Sequence, residues 1–218
     1  GRAIYLSPQE VGLGQREPVA DVARVLARYV DAIAARTFRH ETVRELAAWA
    51  GIPVINALSD FEHPCQAIGD LLTVYERFGT FRGITVAFIG DGNNVANSLV
   101  LAAASVGLNI RLASPPGYEV PDAVKQAALE RARVSGANIR FLNDPWEAVR
   151  GANVVYTDVW TSMGQEAEAD VRRQAFAAYR VTPELMAAAA PDAIFMHDLP
   201  AHRGEEVDPE VIDGPRSV

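Results

Sequence analysis

Residues able to do chemistry gather in five short stretches of this 218-residue chain. Arg36-Thr37-Phe38 follows an apolar run at 31–36, and an arginine at a strand end is a natural ligand for phosphate or carboxylate. His63-Pro64-Cys65-Gln66 opens a helical pattern. An imidazole at a helix start is poised to hold an anion or polarise a carbonyl, and the Gln66 amide stands beside it. Gly90-Asp91-Gly92-Asn93-Asn94 leads from an apolar run into a helix. There, free backbone N–H groups and Asn side chains suit an amino acid's carboxylate and ammonium. Asp158-Val159-Trp160-Thr161-Ser162-Met163-Gly164 presents a carboxylate, a hydroxyl and a flexible apolar side chain. Such a set could clamp a zwitterion on an aliphatic stem. His197-Asp198-Leu199-Pro200 follows the run Ala193–Met196, which Pro200 stops, so both polar residues lie at a strand's carboxyl end.

Each stretch alone also has a plain structural reading: a solvated arginine, a capping histidine, an Asn-capped turn, an Asp N-cap with Ser in the turn. Other chemistries lack support. Cys65 lies inside a first helical turn with nothing nearby to activate its thiol. His40, His63, His197 and His202 show no metal-ligand spacing, so no metal is expected. Val95 stands where a dinucleotide fingerprint needs its third glycine. No Gly-x-Ser-x-Gly elbow supports a serine triad.

The elements that must position these stretches alternate. Strand-like runs fall at 3–6, 31–36, 53–58, 85–90, 110–114, 138–142, 153–159 and 193–198. Between most of them lie helical patterns, marked by Val19, Val22, Leu26, Tyr29 and Val30; by Ile68, Leu71, Leu72, Tyr75 and Phe78, closed by Gly79; and by Val95, Leu99 and 102–104. Thr182-Pro183 reads as an N-cap with proline at the first helical position. Such alternation predicts an α/β fold with parallel sheets flanked by helices. In an open sheet of that kind, ligands bind at the carboxyl ends of the strands, where four of the five stretches begin.

Composition bounds the rest. Hydrophobic content of 49% and charged content of 22% are ordinary for a globular protein. The net charge of −8 argues against nucleic acid and anionic membranes as partners. No apolar run is long enough to span a bilayer as a helix, and the N-terminus lacks a signal peptide's apolar region. One cysteine permits no internal disulfide, which fits a reducing compartment. An opening without Met, almost directly on a strand-like segment, suggests a shortened chain.

Taken together and in order, the five stretches resemble the signatures of ornithine carbamoyltransferases. The resemblance extends to Ser7-Pro8-Gln9, the helix at 21–30, Pro53-Val54-Ile55-Asn56 and residues 205–217. Ser162-Met163-Gly164 points to ornithine rather than aspartate as the acceptor. The resemblance implies two domains: 1–66 as the rear part of a carbamoyl phosphate-binding domain, 67–82 as a connecting helix and linker, and 83–218 as a Rossmann-like ornithine-binding domain. It implies that Arg36, His63 and Gln66, with Asp198 and Leu199, hold carbamoyl phosphate, and that Asn94, Asp158, Ser162 and Met163 bind L-ornithine. The ornithine side-chain amine would attack the carbamoyl carbon, phosphate would leave, and citrulline would form without cofactor or metal. A homotrimer, or a multiple of trimers, is implied too, in the cytoplasm or the mitochondrial matrix.

Three departures from the family pattern shape the expectation. The Ser-Thr-Arg-Thr-Arg phosphate loop, upstream in relatives, is not in this chain. Nor are the Glu-Asn-Arg segment and the C-terminal helix, so truncation at both ends is expected. Asp198 stands where the family has its active-site cysteine. A carboxylate there favours the protonated, non-nucleophilic amine and faces the phosphate dianion, so reduced activity is expected. Two alternatives follow from Asp198: a non-catalytic paralogue that binds an amino acid, and a carbamoyltransferase for a different amine. A nicotinamide-dependent oxidoreductase is a more distant rival.

Overall fold

The computed structural model describes residues 1–161, 164 and 166–218. The chain divides into two compact units, Gly1–Cys65 and Gln66–Val218.

The first unit holds helices α1 (Pro8–Val11), α2 (Val19–Leu26) and α3 (His40–Ala50) and strands β1 (Ile33–Arg36) and β2 (Val54–Leu58). The two strands pair in parallel, with a register shift between Ala35 and Arg36. Val19 and Ala23 of α2 pack with Val43, Leu46 and Ala50 of α3 and with Ala35, which together make this unit's core. Residues 3–6, expected as a strand, form none. Ile4 and Tyr5 remain 70% and 82% exposed. Strand propensity makes such a segment willing, but a strand exists only by pairing, and no partner in the described residues takes it up.

Helix α4 (Pro64–Phe78) runs out of the first unit into the second. Its expected apolar face is only partly correct: Leu71 is buried, while Ile68, Leu72 and Tyr75 are more than half exposed. Ala67, Asp70, Leu71 and Val74, at helical i, i+3, i+4, i+7 spacing, form the buried stripe instead. The helix carries two candidate stripes, and packing chose the one that includes an aspartate.

The second unit continues with β3 (Thr85–Ile89), α5 (Asn94–Val106), β4 (Asn109–Ala113), α6 (Asp122–Ser135), β5 (Ile139–Leu142) and α7 (Pro145–Val149). Then follow β6 (Val154–Thr157), α8 (Ala169–Phe176), α9 (Pro183–Ala187), β7 (Ile194–His197) and α10 (Pro209–Ile212). The strands form one parallel sheet in the order β5-β4-β3-β6-β7. The chain winds outward from β3 to β5, then returns to lay β6 and β7 on the other side. Strand order therefore reverses between β3 and β6, and the crevice beyond their carboxyl ends is where such sheets bind ligands. Because helices cover the sheet, β6 is buried at all four positions, which explains its unbroken apolar run.

Local signals start the helices where the strands end. Asn93 caps α5 by accepting from Val95 N and Ala96 N, and Thr182 caps α9 by accepting from Leu185 N. Gly92 is required for a steric reason: a Cβ there would lie 2.2 Å from Val120 N. Only glycine lets the turn after β3 run against residues 119–120, where its N–H donates to Tyr118 O. No described helix is long and apolar enough to cross a membrane.

Candidate active site

In the first unit, the loops after β1 and β2 are bound together. Thr37 N donates to Leu58 O, Asp60 N to Phe38 O, and His40 N to the Asp60 carboxylate at 2.8 Å. His40 Nδ1 lies 2.8 Å from the buried Ser59 hydroxyl, which also accepts from Glu62 N. This network sets the stretch that ends at His63. Arg36 is exposed at the end of β1, and His63 is half-buried just before α4. Arg36 thus ends one parallel strand, and His63 follows the carboxyl end of the other. Cys65 is exposed, and its thiol donates to Asn56 O.

In the second unit, Asp158 lies just past β6 and is 6% exposed. Its Oδ2 accepts from Asn93 Nδ2 at 2.6 Å and its Oδ1 from Val159 N at 2.6 Å. Asn93 therefore bridges the two strands at the switch point, capping α5 with its oxygen and holding Asp158 with its amide. Asn94, the residue expected to contact ornithine, is the first residue of α5, and its Oδ1 accepts from Val95 N. Ser162 and Met163 lie outside the described residues.

Asp198, just past β7, comes close to Asp158: an oxygen of each carboxyl and a nitrogen of His197 lie within 4.8 Å of one another. The Asp198 side chain is 9% exposed, and its Oδ1 is buried without a hydrogen-bond partner. Burial first, then the neighbouring Asp158 charge, push its carboxyl up to about 9. Asp70 from α4 joins the group. It accepts from Gln66 Nε2 at 2.9 Å and from Tyr156 Oη at 3.1 Å, and burial raises it to about 6 against the effect of both bonds. The Tyr156 phenol is raised further by burial and the same three carboxyls. Gln66, expected at carbamoyl phosphate, is thus engaged with Asp70.

His197 is held from both sides. Its Nδ1 accepts from Leu199 N at 2.9 Å, which leaves the proton on Nε2, 3.2 Å from the fully buried Glu206 carboxylate. Glu206 also accepts from His202 N at 2.5 Å. Leu199 has φ 58°, a left-handed conformation costly for a side chain without local hydrogen bonding, and is 61% exposed. The His197–Leu199 bond closes this turn. Such held strain is commonest where a ligand must be met.

Two groups of metal-type donors come together that spacing alone did not reveal: Asp158, His197 and Asp198, and His202, Glu205 and Glu206, each with donor atoms within 4.8 Å. In the first, the Nδ1 lone pair is occupied by Leu199 N–H. In the second, Arg173 holds the Glu205 carboxylate at 3.1 Å. Neither is a set of free ligands. What the first set can do is hold a cation and move a proton.

Sequence reasoning missed Asp70, Tyr156 and Glu206 as parts of this arrangement, and it named Asn93 only within the Asn pair and not as the residue that holds Asp158. Asn93 had a signal, since an Asn one residue before a helix is a cap. Asp70 and Tyr156 had none, being 86 residues apart.

Two models of one family match the chain in succession: the carbamoyl-P binding domain of aspartate/ornithine carbamoyltransferases over residues 1–76 and the Asp/Orn binding domain over residues 82–218. The chain belongs to the aspartate/ornithine carbamoyltransferase family and is a carbamoyltransferase. It is 57% identical to the ornithine carbamoyltransferase of Symbiobacterium thermophilum, over 100% of this chain and 70% of that relative. The solved ornithine carbamoyltransferase from Pyrococcus furiosus is 52% identical, with a TM-score of 0.97 over 100% of this chain and 70% of its own. The anabolic enzyme of Campylobacter jejuni is 40% identical, with a TM-score of 0.93 over 98% of this chain and 71% of its own.

Proposed function

We propose that the protein transfers the carbamoyl group of carbamoyl phosphate to the side-chain amine of L-ornithine, giving L-citrulline and phosphate in arginine biosynthesis. The observation that carries this is the 57% identity to an ornithine carbamoyltransferase along the whole chain. Catalysis of this transfer rests on positioning two substrates and stabilising an oxyanion and the departing phosphate.

In this reading residues 1–66 are part of the carbamoyl phosphate-binding domain, 67–82 the connection, and 83–218 the ornithine-binding domain. Arg36 and His63 meet the carbamoyl oxygen, and Gln66, Asp198 and Leu199 complete the carbamoyl phosphate side. Asn94, Asp158, Ser162 and Met163 hold ornithine. The buried Asp158, fixed by Asn93 and Val159, supports that role because it offers a preset carboxylate to an ammonium group. On the family resemblance we add a homotrimer, or a multiple of trimers, as the assembly. Relatives in bacteria and archaea support a cytoplasmic setting, with the mitochondrial matrix as the alternative.

Asp198 makes turnover slow at neutral pH, because its acid form occupies the family's cysteine position. The test is citrulline formation by the protein from its complete reading frame, with Asp198 and with Asp198→Cys. A faster Asp198→Cys enzyme supports the reading, and equal rates remove Asp198 as an impediment. Ornithine binding without turnover by either form would favour a second reading, a paralogue that binds the amino acid and does no chemistry. Turnover restricted to another amine would favour the altered-acceptor alternative.

A further inference from the structure

The carboxyl edge of the five-stranded sheet carries the candidate active site, and its amino edge carries a polar group of residues with no part in it. Thr85 begins β3, Asn109 begins β4, and Arg111 lies two residues further on. Asn138 immediately precedes β5, and Arg140 is the second residue of that strand. Thr85 is the register partner of Asn109, and Arg111 of Arg140. Side chains alternate along a strand and register partners share a face, so all five stand on one face of the sheet. A parallel sheet with helices on both faces is ordinarily apolar on both. Here the polar set begins where helical cover ends. Helix α7 is five residues long and finishes beside Arg111, whose Nη1 donates to Ala148 O at 3.1 Å and to Arg150 O at 2.8 Å. The five side chains line a cavity of about 190 Å³, far above the roughly 10–15 Å³ that admits one water.

That lining is made of donors and holds no carboxylate. Asn109 Oδ1 accepts from Asn138 N at 2.9 Å, which leaves the Asn109 amide N–H groups without a partner among the described residues. Arg140 meets Glu147 at 2.5 Å, so one of the two guanidinium charges is answered. The charge of Arg111 meets only carbonyl oxygens. Like charges at directly opposed positions of neighbouring strands repel, and an anion between them turns that repulsion into attraction. We propose that this cavity is an anion site that binds a phosphate group, free or as a monoester, at the edge of the sheet opposite the candidate active site. Arg111 and Arg140 supply the charge, and Asn109, Asn138 and Thr85 supply neutral donors. Donors spread over three adjacent strands suit a tetrahedral group with three or four oxygens better than the two coplanar oxygens of a carboxylate. The site stands whether or not the carbamoyl-transfer reading holds, because no residue of one belongs to the other.

The test uses the protein from its complete reading frame, with Asn138→Glu and Arg140→Gln, both at exposed positions. Calorimetric titration with inorganic phosphate and with glycerol 3-phosphate reads affinity. Crystals soaked in selenate locate an oxyanion by the anomalous signal of selenium. The expected results are a selenium peak between Arg111 and Arg140 that is missing in Asn138→Glu, and a binding event that weakens by about tenfold or more in each variant. Both variants should melt with the parent, and if one does not, the other decides. Any phosphate binding at the candidate active site stays the same in all three proteins, so the difference between them belongs to the cavity. Tighter binding of glycerol 3-phosphate supports the site with a monoester as its ligand, and tighter binding of inorganic phosphate supports it with the free ion. Identical isotherms for parent and variants overturn the proposal. A selenium peak in the cavity without binding in solution marks an adventitious ion only and overturns it as well.

Discussion

The turn after β3 and the turn after β7 each bury an aspartate at the same edge of one sheet, and they treat its charge differently. Asp91, 7% exposed, faces the guanidinium of Arg172, which is itself buried. That arginine also donates Nε to Trp160 O and lies 4.9 Å from the Tyr118 ring and 5.4 Å from the Phe176 ring. Burial raises Asp91 to about 6 with Arg172 pulling the other way, so it is ionised at neutral pH. Asp198 has no lysine or arginine paired with it among the described residues, only other carboxyls and His197 at 3.7 Å, and is raised to about 9. The difference separates a wall from a working surface. At Asp91 the fold supplies the countercharge from its own chain. At Asp198 the countercharge is left for something that binds.

The largest expected effect breaks the Asp91 side. Arg172→Met leaves a buried carboxylate unpaired and costs about 3–5 kcal/mol, a drop in Tm of roughly 6 °C or more. A melting temperature that moves by less than about 2 °C would mean that Arg172 is not what holds Asp91.

The next effect sharpens the Asp198 side. Its carboxyl is raised in the folded protein above its ordinary 3.8, so the folded state holds the proton more tightly than the unfolded chain. That contribution to stability is fully present below about pH 4 and is lost as pH rises toward about 9. Asp198→Asn has no proton to lose. It should therefore be the more stable protein at pH 8, by on the order of 2 kcal/mol or about 4–8 °C, with the gap closing toward pH 4. Asp70 and Asp91, raised to about 6, act in the same direction in both proteins and largely cancel in the difference. A gap that widens on acidification would reverse the sign and sink the assignment.

Smaller effects follow. Asn93→Ala removes the α5 cap and the amide held on Asp158, at about 1–2 kcal/mol in chemical denaturation and with a raised KM for ornithine. An unchanged KM would detach Asn93 from the site. Tyr156→Phe removes one of two donors on Asp70 at about 1 kcal/mol, and the Asp70 carboxyl should move up further, readable by NMR titration of the aspartate carboxyl carbons.

Much of this was legible in the residues. The unbroken apolar runs of β3, β6 and β7 announced buried parallel strands, and the polar residues just beyond them were found at their carboxyl ends. Thr182-Pro183 and the Asn pair marked helix starts, and of the pair Asn93 is the cap. Residues 3–6 misled because a strand is a relation between segments and propensity is a property of one. The face of α4 misled because two stripes competed, and the one that turned inward carries Asp70, which accepts from Tyr156, 86 residues away.

Sequence by itself determined the family, the alternating α/β order and the presence of an acid where a cysteine is usual, because each is written in local residue types and their order. Only the tertiary structure decided what that acid is next to. Winding the chain outward from β3 and back to β6 and β7 brings Asp198 and Asp70 to one dry edge beside Asp158, and it is removal from water that raises the Asp198 and Asp70 carboxyls above their ordinary range.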